Sequence, residues 1–206
     1  SHMPFVGGSA AFVLPAVYGT AQVSTHMDQE PNIEGCCALY PDDANELHTL
    51  LDQPCRRVTH TVNEPAWLTP SIVAAPLAGE LDQNLIVQVP ESQIVFAGAM
   101  CSFGVTPMAG LGSPATWADS LDTLLGWGEI FVPGHGPIGG NEEVLAQQAY
   151  LRACVEAQGD PSALGDGPWR EWSGQEYHTI NVERAALLAQ GKDEPPAALL
   201  RLLGVS

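Results

Sequence analysis

Basic residues are scarce in this sequence. Its 206 residues include 7 lysines and arginines against 24 aspartates and glutamates, which gives a formal net charge of −17. Such a charge repels nucleic acids and anionic membrane surfaces, so we do not expect either as a partner. No apolar run reaches membrane-spanning length and no secretory leader pattern is present. We therefore expect a cytoplasmic protein.

Cysteine pairs with redox or metal-binding spacing are also missing. No CxxC pair occurs among the five cysteines, which are Cys36, Cys37, Cys55, Cys101 and Cys154. The odd number and the irregular spacing argue against a disulfide framework and favour a reducing compartment. Walker and GxSxG patterns are absent as well, so the sequence lacks the P-loop and the nucleophile turn of serine hydrolases.

Hydrophobic patterns predict a mixed α/β protein. Two strands, 84–89 and 93–97, flank a Pro-Glu-Ser turn, and further short strands are predicted over 10–24, 55–62 and 129–132. Helices are predicted over 44–51, 117–125, 142–157 and 182–203, the last with a break near Pro195. Ser1-His2-Met3 looks like a tag-cleavage scar, so we assign residues 4–206 to one domain.

Three stretches of the second half carry a family resemblance. They read IVQVPESQIVFAGAMCSFG (86–104), WADSLDTLLGWGEIFVPGHGP (117–137) and EEVLAQQAYLRACVEA (142–157). This order resembles the metallo-β-lactamase superfamily, in which a hairpin strand ends in Gly-Asp and a Pro-Gly-His-Gly turn presents the last metal-binding histidine. The resemblance covers residues 20–190. It implies a four-layer αββα sandwich, shortened at its amino terminus, and descent from hydrolases of esters, thioesters or lactones.

The resemblance also implies a set of site residues. His135 of PGHGP matches the last histidine ligand, and Glu80 stands where the family has its fourth histidine. In THMDQEP (25–31), His26 matches the first histidine of the ligand loop, Asp28 the second, and Glu30 the aspartate. His26, Asp28 and Glu30 alternate, so in an extended loop their side chains would point the same way.

Two family ligands are replaced. Pro31 stands at the last histidine of the ligand loop, and Ala99 stands at the aspartate that bridges two metals. A dinuclear centre is therefore not expected. A second Thr-His pair at His60 also precedes an acid and a proline, but it leaves too few residues before Ala99 for the intervening elements, so we prefer His26.

Three functions remain open for this residue set, the first two on a small organic substrate. His26, Asp28, Glu80 and His135 could hold one divalent ion (zinc, iron or manganese), with Glu30 as general base on the bound water. Without a metal, Glu30, Glu80 and His135 could perform acid–base chemistry as a lyase, an isomerase or a cyclase. The third is a non-catalytic binding protein that kept the fold.

Overall fold

The computed structural model describes Ser9, Phe12 and residues 16–28, 33–51 and 56–204. The amino-terminal part of these residues contains only short elements. They are β1 (Tyr18–Gly19), α1 (Ala21–Met27), α2 (Ile33–Leu39), α3 (Ala44–Leu51) and β2 (His60–Thr61). The strands β1 and β2 pair in parallel, and α3 covers the residues predicted for it.

The amino-terminal part departs from the sequence-based expectation. Residues 21–27 form a helix where short strands are predicted, because the Thr20 hydroxyl accepts a hydrogen bond from the Val23 amide at 3.1 Å and caps that helix. Helix α2 likewise stands where the resemblance implies the strand after the ligand loop. Of the strand predicted over 55–62, the described residues retain two residues of β2.

A five-stranded sheet forms the centre of the molecule. Its strands are β3 (Ala66–Thr69), β4 (Ile72–Leu77), β5 (Asn84–Val89), β6 (Ile94–Ser102) and β7 (Ile130–His135), in that spatial order. Strands β3 to β6 are antiparallel neighbours, whereas β7 runs parallel to β6. Strands β4, β6 and β7 therefore point the same way, and their last residues share one edge of the sheet, here called the carboxyl edge.

Four helices follow in the second half of the chain. They are α4 (Pro114–Leu125), α5 (Asn141–Glu156), α6 (Tyr177–Ala189) and α7 (Ala197–Leu202). Ser113 caps α4, and the helical spacing of Trp117, Leu121 and Leu124 buries all three side chains, as predicted. These residues form one core cluster with inward-facing residues of α5, α6 and the sheet. Fully burying side chains of this size contributes about 2 kcal/mol each.

One face of the sheet packs against these helices, and the opposite face is built differently. Strand register places Val95 and Phe131, which are fully buried, on the helix-packed face. The other face, here called the outer face, includes Thr69, opposite Ile72, and otherwise apolar residues. They are Ala66, Ile72, Ala74, Pro76, Leu85, Val87, Val89, Ile94, Phe96, Ile130 and Val132.

The mixed α/β class is confirmed by these elements. Within the described ranges the strands form one five-stranded sheet and one two-stranded sheet. None of the described helices is long and apolar enough to cross a bilayer.

Candidate functional site

Glu80 lies in the loop that follows β4 at the carboxyl edge, and only 8% of its surface is exposed. The loop is held by its own backbone and by one amide side chain. The Gly79 amide donates to the Leu81 carbonyl at 2.8 Å, and Asn84 Nδ2 donates to the same carbonyl at 3.0 Å. A carboxylate is costly to bury, so its position in a fixed loop makes Glu80 the strongest candidate for acid–base chemistry.

The Glu80 loop touches the long connection between β6 and α4 (residues 103–113). A Cβ atom on Gly112 would lie 2.6 Å from the Glu80 carbonyl oxygen, so only glycine permits this approach. The connection is held by buried side chains of α6. Asn181 accepts from the Ala109 amide at 2.7 Å and donates to the Pro107 carbonyl at 2.6 Å, while Arg184 Nε donates to the Gly112 carbonyl at 2.9 Å.

Tyr40 is a candidate site residue that the sequence did not reveal. Burial raises the pKa of Tyr40 above its usual value, and the negative charges of Glu80 and Cys36 raise it further. Tyr40 is therefore a protonated hydroxyl at neutral pH, close enough to Glu80 to feel its charge. No spacing in the sequence links positions 40 and 80, so only the fold could show that they are neighbours.

Tyr177 and Thr106 extend this polar region. Burial raises the pKa of Tyr177, with smaller contributions from Glu176 and Tyr40. A Cβ atom on Gly174 would lie 3.2 Å from the Tyr177 ring and 3.7 Å from Thr106 Cβ. The Tyr177 and Thr106 side chains therefore both lie next to Gly174. The buried Thr106 hydroxyl has no hydrogen-bond partner among the described residues, and such a group is one that a bound molecule or water can satisfy.

His135 ends β7 at the same carboxyl edge, and its side chain is exposed. Its carbonyl accepts a hydrogen bond from the Phe103 amide at 3.0 Å, which joins the end of β7 to the start of the 103–113 connection. Gly136 follows with a φ of 90°, and a Cβ atom there would lie 1.8 Å from the Phe103 carbonyl oxygen. The second glycine of the Pro-Gly-His-Gly pattern is thus explained locally by this close approach.

The region around Ala99 is a bulge in β6. Gly98 pairs with Pro133 and Ser102 pairs with His135. Three residues of β6 therefore lie opposite a single residue of β7. The buried Gln147 of α5 replaces the lost ladder bonds. It accepts from the Ser102 amide at 2.8 Å and donates to the Met100 carbonyl at 3.0 Å. The bulge is therefore supported, although Ala99 offers no carboxylate.

The predicted ligand loop is arranged differently from the expectation. His26 lies in α1 and Asp28 is the residue that caps its end, so the two do not alternate along an extended loop. Arg57 forms an ion pair with the Asp28 carboxylate, and both side chains are largely exposed. Gln22 of the same helix bonds to Asp82 and to the Gln83 amide, which places α1 beside the Glu80 loop. Glu30 and Pro31 lie outside the described residues.

The metal implied by the resemblance does not fit the residues that the structure describes. Among them, no group of three or more histidine, cysteine, aspartate or glutamate side chains is arranged to hold an ion. Asp28 is engaged by Arg57, and position 99 lacks the bridging carboxylate. The structure brings Glu80 and His135 to one edge of the sheet, but it does not combine them with His26 and Asp28 into a ligand set.

Comparison with known proteins gives fold neighbours only. No protein-family profile and no curated protein matches the chain. Among solved structures, the DIM-1 metallo-β-lactamase is similar at 18% identity and a TM-score of 0.47 over 66% of this chain and 57% of that chain. The mono-zinc form of metallo-β-lactamase FIM-1 from Pseudomonas aeruginosa is similar at 17% identity and a TM-score of 0.45 over 65% and 54%.

A metallo-β-lactamase from Pontibacter korlensis is similar at 16% identity and a TM-score of 0.41, over 51% of this chain and 54% of that chain. The chain thus spans little more than half the length of these structures.

Proposed function

We propose that the protein is a metal-independent acid–base enzyme, a lyase, isomerase or cyclase, that acts on a small organic molecule at the carboxyl edge of its sheet. The observation that carries this proposal is the buried residue Glu80, whose negative charge helps to raise the pKa of Tyr40. Hydrolysis by a metal-bound water, the other chemistry that the resemblance implies, is less well supported because the ligand set does not assemble among the described residues.

The two groups have complementary roles in this proposal. The Glu80 carboxylate takes a proton from a carbon next to a carbonyl group, and the Tyr40 hydroxyl donates a hydrogen bond to the carbonyl oxygen and keeps its own proton. The raised pKa of Tyr40 means that its hydroxyl keeps its proton at neutral pH and is present as a hydrogen-bond donor. Glu80 then returns its proton to another substrate atom, so no activated water is needed.

The charge of the molecule bears on the substrate. With a net charge of −17 the protein repels anions, which favours an uncharged or cationic substrate. Tyr177 and the unpartnered Thr106 hydroxyl supply further polar groups near Tyr40 for binding such a molecule.

The proposal also covers the domain organisation of the chain and its cellular compartment. It treats residues 4–206 as one domain, and it places the protein in the reducing cytoplasm. The described cysteines, Cys36, Cys37, Cys101 and Cys154, are free thiols, which is compatible with that compartment.

Hydrogen–deuterium exchange at carbon tests the proposal. The protein would be incubated in heavy water with uncharged ketones, esters and lactones, and exchange next to the carbonyl would be followed by NMR. We expect exchange with one class of compound and a loss of about 100-fold or more in Glu80→Gln, the usual scale for a general base. Tyr40→Phe should also slow exchange, whereas Glu129→Gln, an exposed acid before β7, should not.

Two results would contradict the proposal. If folded wild-type protein and folded Glu80→Gln exchange every compound equally, the non-catalytic binding protein becomes the better reading. If elemental analysis after growth with zinc, iron and manganese finds about one metal per chain, and His135→Ala loses it, a mononuclear hydrolase replaces the metal-independent enzyme.

A further inference from the structure

A cleft of about 540 Å³ runs along helix α5. One wall is a face of α5 whose residues recur every three or four positions, among them Leu145, Gln148, Arg152 and Glu156. The segment after α5 completes the lining with Leu164, Asp166 and Trp169. No residue of the Glu80 loop or of the 103–113 connection lines this cleft, and its volume lies in the range of small-molecule sites.

Apolar side chains of the cleft differ in exposure. Leu145 is 48% exposed, whereas Leu164 and Trp169 are almost fully buried. The Trp169 ring is held by the buried Tyr150, with ring centroids 5.8 Å apart. An exposed leucine and a fixed indole ring in one cleft offer contact to an apolar group of a ligand.

Two buried polar side chains of the cleft are incompletely bonded. Gln148 is 3% exposed and donates from Nε2 to the Ala118 carbonyl at 2.8 Å, but its amide oxygen accepts no hydrogen bond from another described residue. The indole nitrogen of Trp169 likewise has no partner among the described residues. Buried polar groups of this kind are normally satisfied by a bound molecule or water. An amide group suits both, because it has an N–H for the Gln148 oxygen and a carbonyl for the indole N–H.

The carboxyl-terminal end of α5 makes one end of the cleft electronegative. Glu156 is the last residue of α5, and it forms no ion pair with another residue that the structure describes. The last turn of α5 has no basic residue to compensate the partial negative charge of the helix end. Arg152 is engaged by Asp122 at 3.1 Å, so its charge is largely neutralised. This end of the cleft therefore attracts a cation.

We propose that the cleft binds a small elongated molecule with an apolar group at one end, an amide in its middle and an ammonium group at the other end. The apolar group contacts Leu145, the amide N–H donates to Gln148, and the ammonium group pairs with Glu156. Gln148 and Glu156 are eight residues apart. Eight residues rise about 12 Å along a helix, and two hydrogen bonds with four methylene groups between two nitrogens span about the same length. This site does not depend on the acid–base reaction proposed for the carboxyl edge.

Titration of the full chain with benzoylputrescine, followed by the assigned indole N–H signal of Trp169 in NMR spectra, tests this inference. This compound carries a phenyl ring, an amide, four methylene groups and an ammonium group. We expect saturable binding with a dissociation constant of about 1 mM, the usual strength for a ligand of this size. N-butylbenzamide, which lacks the charge, should bind about threefold more weakly, and benzamidobutyrate, which ends in a carboxylate, about 10-fold more weakly.

Variants of exposed α5 residues locate the site. Glu156→Gln should weaken benzoylputrescine binding by about threefold and leave N-butylbenzamide unchanged. Glu142→Gln makes the same change in the first turn of α5, outside the cleft, and should leave both unchanged. Leu145→Ala should weaken both compounds by about fivefold through lost apolar contact. Val155→Ala is its matched control, because Val155 is an exposed α5 residue outside the cleft.

Three outcomes would overturn the inference. The absence of a saturable change in the Trp169 signal with benzoylputrescine would show that the cleft does not take this class of molecule. Equal weakening by Glu156→Gln and Glu142→Gln would mean that the amine responds to the net charge of the protein and occupies no site. Equal affinity for benzoylputrescine and benzamidobutyrate would remove the role of Glu156.

Discussion

A single imidazole links two long helices beside the sheet. Asn181 Nδ2 donates to the Tyr150 hydroxyl at 2.8 Å, and that hydroxyl lies 2.9 Å from His178 Nδ1. The hydroxyl also shares a hydrogen bond with the Cys154 side chain, and His178 Nε2 lies 2.9 Å from Gln175 Oε1. The His178 ring is thus held on both sides, by Tyr150 of α5 and by Gln175.

Protonation of His178 should destabilise the protein. Burial, reinforced by the positive charge of Arg170, lowers the pKa of His178 below its usual value of 6.5. The unfolded chain then takes up the proton before the folded chain does, so stability is lost as the pH falls through about 6.5 and levels off below the folded pKa. We expect the melting temperature of His178→Gln, which keeps an acceptor but does not titrate, to fall less between neutral and mildly acidic pH. Equal losses in both proteins would contradict this account.

Individual residues also show which parts of the candidate site could be predicted from the sequence. Glu80 and His135 could be proposed because each stands at a fixed place beside a recognisable strand or turn. Tyr40 could not, because its proximity to Glu80 depends on how α2 and the carboxyl edge come together in three dimensions. The alternation of His26 and Asp28 was misleading, because a period of two has no meaning once Thr20 starts a helix there.

At the scale of the element, helices and hairpins could be predicted from the sequence, because their backbone hydrogen bonds join residues that are close along the chain. The apolar spacing of α4, the hairpin of β5 and β6, and the long helix α5 follow from local sequence. The bulge in β6 does not, because the side chain that supports it, Gln147, lies 45 residues away from Ser102. A fully buried glutamine in a helix could only be expected from the structure that surrounds it.

Removal of that glutamine should cost more than removal of its neighbour. Gln147→Met leaves the buried Ser102 amide without a partner and removes one of the two donors to the Met100 carbonyl, so we expect a loss of about 2 kcal/mol in the free energy of unfolding.

Gln148→Met is the matched control, since Gln148 is also buried but makes one bond, to the helical Ala118 carbonyl at 2.8 Å. A loss of about 1 kcal/mol or less is expected there. Urea denaturation measures both variants, and equal losses would mean that the bulge does not depend on Gln147.

At the scale of the whole molecule, acidic residues greatly outnumber basic residues. In every described ion pair the basic residue is an arginine. Among these arginines only Arg184 is almost fully buried, and it donates to Asp193 at 2.6 Å. Seven basic residues cannot balance 24 acids, so the molecule keeps a formal net charge of −17. Such self-repulsion acts against the compact state.

Salt should therefore stabilise the fold. Between low and about 0.5 M sodium chloride, where the screening length falls to a few ångströms, we expect the melting temperature to rise by several degrees. The measurement is made on dilute protein, with potassium chloride as a control for ion-specific effects. A melting temperature that falls with salt would show that attractive ion pairs outweigh the repulsion.

The contact between Gly112 and the Glu80 carbonyl oxygen has a consequence for how such a protein can diverge. Because no side chain fits between the two loops, a change at position 112 displaces the loop that carries Glu80. The 103–113 connection and the Glu80 loop are thus expected to accept mutations jointly. Among descendants of this chain, reactivity would be retuned through paired substitutions in the two loops, while the helices beneath stay as they are.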